Sequence, residues 1–115
     1  MIETFLWLLF VHYLFDFSLQ TQFMSEWKQK SHYVMFVHVV VWTGGICLAM
    51  KLLDIPVQRD IVIMLFVVHY LVDWCKCELI KTGKFTPQGV RNLFLSDQTI
   101  HIAQLIMVIG SIPKL

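Results

Sequence analysis

Two stretches of this sequence place a histidine and an aspartate four residues apart inside otherwise apolar segments. The first reads VHYLFDF and begins at Val11, and the second reads VHYLVDW and begins at Val68. Residues four apart on an α-helix lie on one face, about one turn from each other. Imidazole and carboxylate groups together suit divalent metals, and ionisable residues within apolar helices mark functional sites. The two pairs therefore predict metal ligands: His12, Asp16, His69 and Asp73.

A third pair, Asp97 and His101, has the same spacing in the reverse order. It completes a set of six predicted metal ligands. His38 is a further candidate, either as a seventh ligand or as a general base. Lys76 is a candidate for contact with an anionic group at the catalytic site, and Gln20 and Gln98 are candidates for supporting the ligands or contacting the same group.

The composition is that of a membrane protein. Of the 115 residues, 57% are hydrophobic and 15% are charged, and the mean hydropathy is +0.68. Soluble domains carry about 25% charged residues. A net charge of +1 without a concentrated basic face argues against nucleic-acid binding. Three cysteines do not suggest a disulfide framework, and Cys75 and Cys77 fit interfacial thiols better than a soft-metal site.

The apolar segments predict an all-α fold in which one domain, residues 1–115, forms an integral membrane four-helix bundle. Each predicted helix is about long enough to cross a bilayer. Polar residues fall late in the first and third helices and early in the second and fourth. If consecutive helices alternate in direction, the six predicted ligands and His38 meet near one side of the bundle. Their side chains then form an imidazole layer and a carboxylate layer roughly 6 Å apart. The predicted helices span residues 2–20, 33–53, 59–80 and 92–112, and residues 21–31 form a polar connection.

The repeated motif predicts two parallel helical hairpins related by an axis along the membrane normal. Six Lys and Arg residues lie on the side of the polar cluster, against three on the opposite side. By the positive-inside rule, the cluster faces the cytoplasm and both termini lie outside. A site there suits a lipid head group or a lipid-linked phosphate. The six cations on the side of the polar cluster are Lys28, Lys30, Lys76, Lys81, Lys84 and Arg91, and the three on the opposite side are Lys51, Arg59 and Lys114.

Three functions fit these residues. In the first, zinc or manganese bound by the His/Asp set supports hydrolysis of a phosphate or lipid-linked substrate. In the second, the chain is a non-enzymatic membrane module, a homo-oligomer or a subunit of a larger system, and the His and Asp residues fix helix packing. In the third, they relay protons or ions, although the half of the helices opposite the cluster is almost free of polar residues. A soluble all-α phosphohydrolase would carry an adjacent His-Asp pair, which this sequence lacks.

The order of these motifs resembles that of a small uncharacterised family of bacterial and prophage integral membrane proteins, a domain of unknown function. The matching motifs are HxxxDFxLQ at His12, HxxxDxxK at His69 and DQxxH at Asp97, together with Met24, Lys28 and His38. The resemblance implies a multi-pass location in the bacterial inner membrane and a shared polar set at these positions. It supplies no reaction. A looser similarity links the chain to membrane-bound metal-dependent hydrolases of prophage origin.

Overall fold

A computed structural model describes residues 1–112, and over that range the chain is helical without strands. Lys114, one of the three cations placed opposite the polar cluster, lies outside the described residues. Two of its long helices, over residues 32–52 and 59–81, nearly coincide with the second and third predicted helices. Five α-helices follow in chain order: α1 (Ile2–Tyr13), α2 (Gln22–Trp27), α3 (His32–Leu52), α4 (Arg59–Lys81) and α5 (Pro87–Gly110).

The first helix changes its winding before it ends. The prediction was one helix over residues 2–20, but α1 stops at Tyr13 and continues as a π-helical turn, Leu14–Ser18. The Leu19 N–H donates to the Leu14 carbonyl, five residues back, over 2.8 Å. Such turns widen the helix locally and are frequent at functional sites. Asp16 therefore leaves the helix at a different angle from a residue in a regular α-helix.

The predicted polar connection, residues 21–31, contains the short helix α2. Thr21 caps it, because its Oγ1 accepts a hydrogen bond from the Met24 N–H over 3.1 Å. The helix packs against α3. This packing brings the residue that follows α2, Lys28, into the interior, where only 7% of it is exposed.

The last helix begins five residues before the predicted start at Asn92. Thr86 caps it through a 3.0 Å hydrogen bond from the Gly89 N–H, and Pro87 occupies the first turn. Proline is well placed there, since its missing N–H would have no partner within the helix. Gly83 follows the end of α4, where it adopts a φ of +70°.

The four longest helices contact one another in a closed ring. α1 packs against α3 and α5, and α4 packs against the same two helices. Two of the four, α3 and α5, are long and apolar enough to cross a membrane, where the sequence predicted four spans. Core helices of soluble proteins can share that length and composition, so the count by itself is weak support for a membrane location.

Polar and apolar residues are distributed unusually between the interior and the surface. Eleven polar or charged residues are buried, beside twelve buried hydrophobic ones. The largest apolar core cluster includes Leu8, Ile46, Leu65 and Leu105. Many large hydrophobic side chains are exposed on all four long helices, among them Leu6, Phe10, Leu48, Ile63, Leu71 and Ile106.

Candidate metal centre

All seven His and Asp residues singled out in the sequence are buried in one polar cluster. None of them is more than 5% exposed. α1 and its π turn contribute one pair, α4 and α5 contribute one pair each, and α3 contributes His38. Hydrogen bonds and ion pairs link the cluster across these four elements. Its members are His12, Asp16, His38, His69, Asp73, Asp97 and His101.

The centre of the cluster is Nε2 of His38. It lies 3.3 Å from Asp16 Oδ1 and 3.2 Å from Asp73 Oδ2. The Nε2 atoms of His38 and His69 are 3.3 Å apart. His69 Nε2 is also 3.7 Å from Asp16 Oδ1. Four potential ligand atoms from two helices, α3 and α4, and the π turn therefore lie close together.

Four of the six separations among these atoms match the spacing of ligands around one metal ion. Zinc binds imidazole nitrogen and carboxylate oxygen at about 2.0–2.2 Å, so the ligand atoms of a tetrahedral site lie about 3.3–3.6 Å apart. The four measured distances run from 3.2 to 3.7 Å. Ligand atoms of His38, His69 and Asp73 all lie within 4.8 Å of one another, as do those of Asp16, His69 and His101. The donor set therefore fits a divalent transition metal.

Hydrogen bonding alone leaves the centre under-satisfied. His38 Nε2 can carry one proton, yet two carboxylate oxygens and a second imidazole nitrogen lie within 3.3 Å of it. His69 is fully buried, and its Nδ1 has no hydrogen-bond partner within the described residues. Buried polar atoms without partners are costly and call for an explanation, of which an ion is one.

His101 is oriented by Gln104, a residue of its own helix. Gln104 donates its amide N–H to the Leu65 carbonyl over 3.1 Å, so its Oε1 accepts from His101 Nδ1 over 2.9 Å. His101 Nε2 then faces Asp97 Oδ1 at 3.1 Å and must hold either a proton or a cation there. The His101 ring also stacks on that of His69, with centroids 3.9 Å apart.

His12 has both ring nitrogens occupied by protein partners. Trp42 Nε1 donates to His12 Nδ1 over 3.0 Å, which places the histidine proton on Nε2. That N–H donates to Gln98 Oε1 over 2.9 Å. Gln98 in turn donates its amide N–H to Asp16 and to Asp97, over 3.1 and 3.0 Å. His12 thus lies beside the centre as part of a network that orients two carboxylates, with no free nitrogen for a metal.

Two ammonium groups flank Asp73. Lys28 Nζ lies 3.1 Å from its Oδ2, and Lys76 Nζ lies 2.8 Å from its Oδ1. Lys76 also lies 3.4 Å from Asp97 Oδ2, so it joins α4 to α5. Three carboxylates and two ammonium groups give the cluster a net charge of −1 while its imidazoles are neutral.

A cavity of about 440 Å³ opens from the cluster between the π turn, α2, α4 and α5. Arg91 lines it and forms no ion pair with any residue in the range 1–112. Gln20 lines it as well, and its buried Oε1 lacks a partner in that range. The cavity therefore offers three cationic side chains to an anion. Its polar lining consists mainly of Asp16, Gln20, Lys28, Lys76, Arg91 and Gln98.

The position of Asp16 depends on the contact between the π turn and α3. Phe15, the preceding residue, packs against Gly45 so closely that a Cβ atom at Gly45 would lie 2.6 Å from the Phe15 ring. Glycine is therefore required at Gly45, whereas a Cβ atom at Gly44 would meet nothing within 4 Å. Gly45 thus lets Phe15 pack closely against α3, and this contact positions Asp16, the next residue.

Three residues of the site were not among the predicted ones. Lys28 was assigned to a loop, although it belongs to the motif order that carried the family resemblance. Trp42 is a buried core aromatic whose ring stacks on that of His69, with centroids 4.1 Å apart, and whose Nε1 donates to His12. Gln104 lies three residues beyond His101, a spacing that places it on the same helix face. Cys75 is exposed and Cys77 is buried, and neither belongs to the His/Asp groups described above.

Comparison with known proteins identifies the family. The profile described as "Protein of unknown function (DUF3307)" matches residues 4–114. The chain belongs to the DUF3307 family. No curated protein and no solved structure matches it. Membership in DUF3307 agrees with the resemblance to a domain of unknown function and brings no reaction with it.

Proposed function

We propose that this DUF3307 protein is a membrane-embedded metalloprotein, a metal-dependent hydrolase of phosphate or lipid-linked phosphate substrates. The observation that carries the proposal is that three potential ligand atoms, from Asp16, His69 and Asp73, lie 3.2–3.3 Å from His38 Nε2. A cation at their centre would satisfy the competing acceptors at once. The proposed ligands are Asp16, His38, His69 and Asp73, with Asp97 and His101 beside them.

This assignment decides one predicted role and alters another. His38 was predicted to be either a seventh ligand or a general base, and the proposal makes it a ligand because the other candidate ligand atoms lie around its Nε2. His12 was a predicted ligand, but both of its nitrogens are engaged by Trp42 and Gln98. The proposal therefore gives His12 a supporting role: it holds the Gln98 amide against two carboxylates.

Charge supports an anionic substrate. The three carboxylates and two lysines sum to one negative charge, and a divalent cation would bring the site to one positive charge. A bound divalent metal would activate water and polarise a phosphoryl bond. Lys28 and Lys76 would bind phosphoryl oxygens from the cavity while they hold Asp73 in place.

The membrane location is part of the proposal. The exposed faces of the four long helices are rich in large apolar residues, while the interior contains four charged side chains, Asp16, Lys28, Asp73 and Asp97. A soluble protein rarely exposes so much contiguous apolar surface. We infer four spanning helices in the bacterial inner membrane, with the cavity towards the cytoplasm because most Lys and Arg residues lie on that side. The inferred architecture is a four-helix bundle, in which α1, α3, α4 and α5 form the ring. Alkaline carbonate washing should leave the chain in the membrane fraction, and its release would contradict this location.

The rival function is a non-enzymatic membrane module in which the polar cluster fixes packing or relays protons. Its support is the set of hydrogen bonds between helices, such as those from Gln98 to Asp16 and from Gln104 to the Leu65 carbonyl. Such bonds contribute on average about 0.6 kcal/mol each in membranes. They would occur in either case, so metal content must decide between the two functions.

The test is mass-spectrometric metal analysis of detergent-purified protein. We expect about one or two equivalents of zinc or manganese in the wild type. His38→Ala and Asp73→Asn should lose the metal. The matched controls, His32→Ala on α3 and Asp60→Asn on α4, alter exposed residues of the same types and should retain it. A wild-type protein that stays empty after addition of zinc or manganese would refute the metalloprotein.

A further inference from the structure

A second, apolar groove runs along the outside of the molecule between α4 and α5. It has a volume of about 270 Å³, and its walls are almost wholly hydrocarbon. Leu71 and Leu79 of α4 and Ile100 of α5 line it and are each at least 40% exposed. Leu93 completes the wall on α5.

The groove meets the polar cavity at a single cationic side chain. Lys76 lines both spaces, and its Nζ binds Asp73 and Asp97 across the junction of α4 and α5. Asp97 lines the groove on its inner side. A molecule could therefore place an anionic group among Lys28, Lys76 and Arg91 while its apolar part lies along the groove.

We propose that the cavity and the groove together form one binding site for an amphiphilic lipid phosphate. The phosphate occupies the cavity, and one hydrocarbon chain leaves between α4 and α5 at Lys76. The inference rests on the proposed function and narrows it, because a water-soluble phosphate ester would leave the groove unused. Charge complementarity selects the head group, and the apolar groove, which shares Lys76 with the cavity, selects the chain.

The chain would contribute to affinity through burial. Each methylene removed from water contributes about 0.8 kcal/mol, which is roughly a fourfold gain in affinity. Detergent competes for the same chain, so the measurable gain is smaller and comparisons must keep the detergent constant. Dioctanoyl phosphatidic acid should bind at least tenfold more tightly than either inorganic phosphate or dioctanoylglycerol.

The experiment is calorimetric titration of the purified full chain with these three probes. Ser96 lines the groove and is exposed on α5, so Ser96→Trp should fill it and weaken phosphatidic acid binding at least tenfold. Inorganic phosphate should bind this variant as it binds the wild type. Thr99→Trp, on the same helix but outside the groove, is the matched control and should bind the lipid normally.

The head-group half of the site has its own pair of variants. Arg91→Gln should weaken both phosphatidic acid and inorganic phosphate several-fold, because Arg91 lines the cavity. Lys84→Gln alters a cation of the exposed loop outside the cavity and should change neither. Equal binding of the lipid by Ser96→Trp, Thr99→Trp and the wild type would overturn the inference, as would equal affinity for phosphatidic acid and dioctanoylglycerol.

Metal analysis of the same preparations separates the two proposals. Chain-dependent phosphatidic acid binding by a protein that holds no metal would support the lipid site and refute the metalloprotein. A metal-loaded protein that binds inorganic phosphate and phosphatidic acid equally would refute the lipid site and leave the metalloprotein standing.

Discussion

The two copies of the repeated motif have different surroundings in the folded protein. In the second copy, His69 and Asp73 lie on a regular helix and both face the centre of the cluster. In the first copy, the π turn separates the two roles: Asp16 reaches the centre, but His12 lies against Trp42 and Gln98. The comparison shows that helical spacing determines which residues share a face, while the partners depend on the neighbouring helices.

The difference between the two histidines should be largest in metal content. His69→Ala removes a proposed ligand and should abolish metal binding. His12→Ala removes only support for Gln98, so we expect the metal to remain, with affinity about tenfold lower at most. Mass spectrometry after dialysis against graded chelator concentrations measures both. Equal loss of metal in the two variants would show that the two copies act alike.

The two aspartates should differ in their effect on stability. Asp73→Asn leaves Lys28 buried without its carboxylate and Lys76 with Asp97 alone, which should cost about 3–5 kcal/mol. Asp16→Asn leaves no lysine unpaired and can still accept the hydrogen bond from Gln98, so its cost should be well below that. Unfolding in sodium dodecyl sulfate after chelator treatment compares the two without any contribution from metal. A larger cost for Asp16→Asn would reverse the comparison.

The contact that holds the π turn against α3 offers a third comparison. Gly45→Ala would place a methyl group 2.6 Å from the Phe15 ring, and relieving this overlap should cost about 1–3 kcal/mol. It should also displace Asp16 and weaken metal binding. Gly44→Ala is the matched control, since the added methyl group meets no atom within 4 Å. The same unfolding assay should show little change for the control, and equal effects would exclude the close contact.

The smallest expected effect concerns the indole that orients His12. Trp42→Phe removes the donor to His12 Nδ1 and retains most of the ring, so the cost should be about 0.5–1 kcal/mol. Metal content should stay at the wild-type level. Loss of metal from Trp42→Phe would assign His12 a direct part in binding.

Much of the fold was predictable because the long helices follow simple local rules. α3 and α4 begin and end within about one residue of the predicted bounds. α5 begins earlier than predicted because Thr86 caps it and Pro87 occupies its first turn, two signals of a helix start that the apolar pattern does not include. α2 and the π turn were missed because six residues among polar neighbours, and a change in winding, leave no periodic hydrophobic pattern.

The cluster of His and Asp residues was predictable from spacing, whereas its pairings depend on tertiary contacts. No sequence pattern indicates that Lys28 pairs with Asp73, which lies 45 residues later in the chain, or that Trp42 donates a hydrogen bond to His12. The exclusion of His12 from the ligand set follows from the tautomer that Trp42 imposes, which only the three-dimensional arrangement reveals.

X-ray absorption spectroscopy of the zinc-loaded protein tests the central proposal most directly. We expect about four nitrogen or oxygen ligands at about 2.0–2.1 Å and outer-shell scattering from two imidazoles. In any zinc that remains bound to His38→Ala, the imidazole scattering should fall by half. His32→Ala should leave the spectrum unchanged. A zinc environment without imidazole scattering, or one with sulfur at about 2.3 Å, would contradict a centre built from His38, His69 and the carboxylates around them.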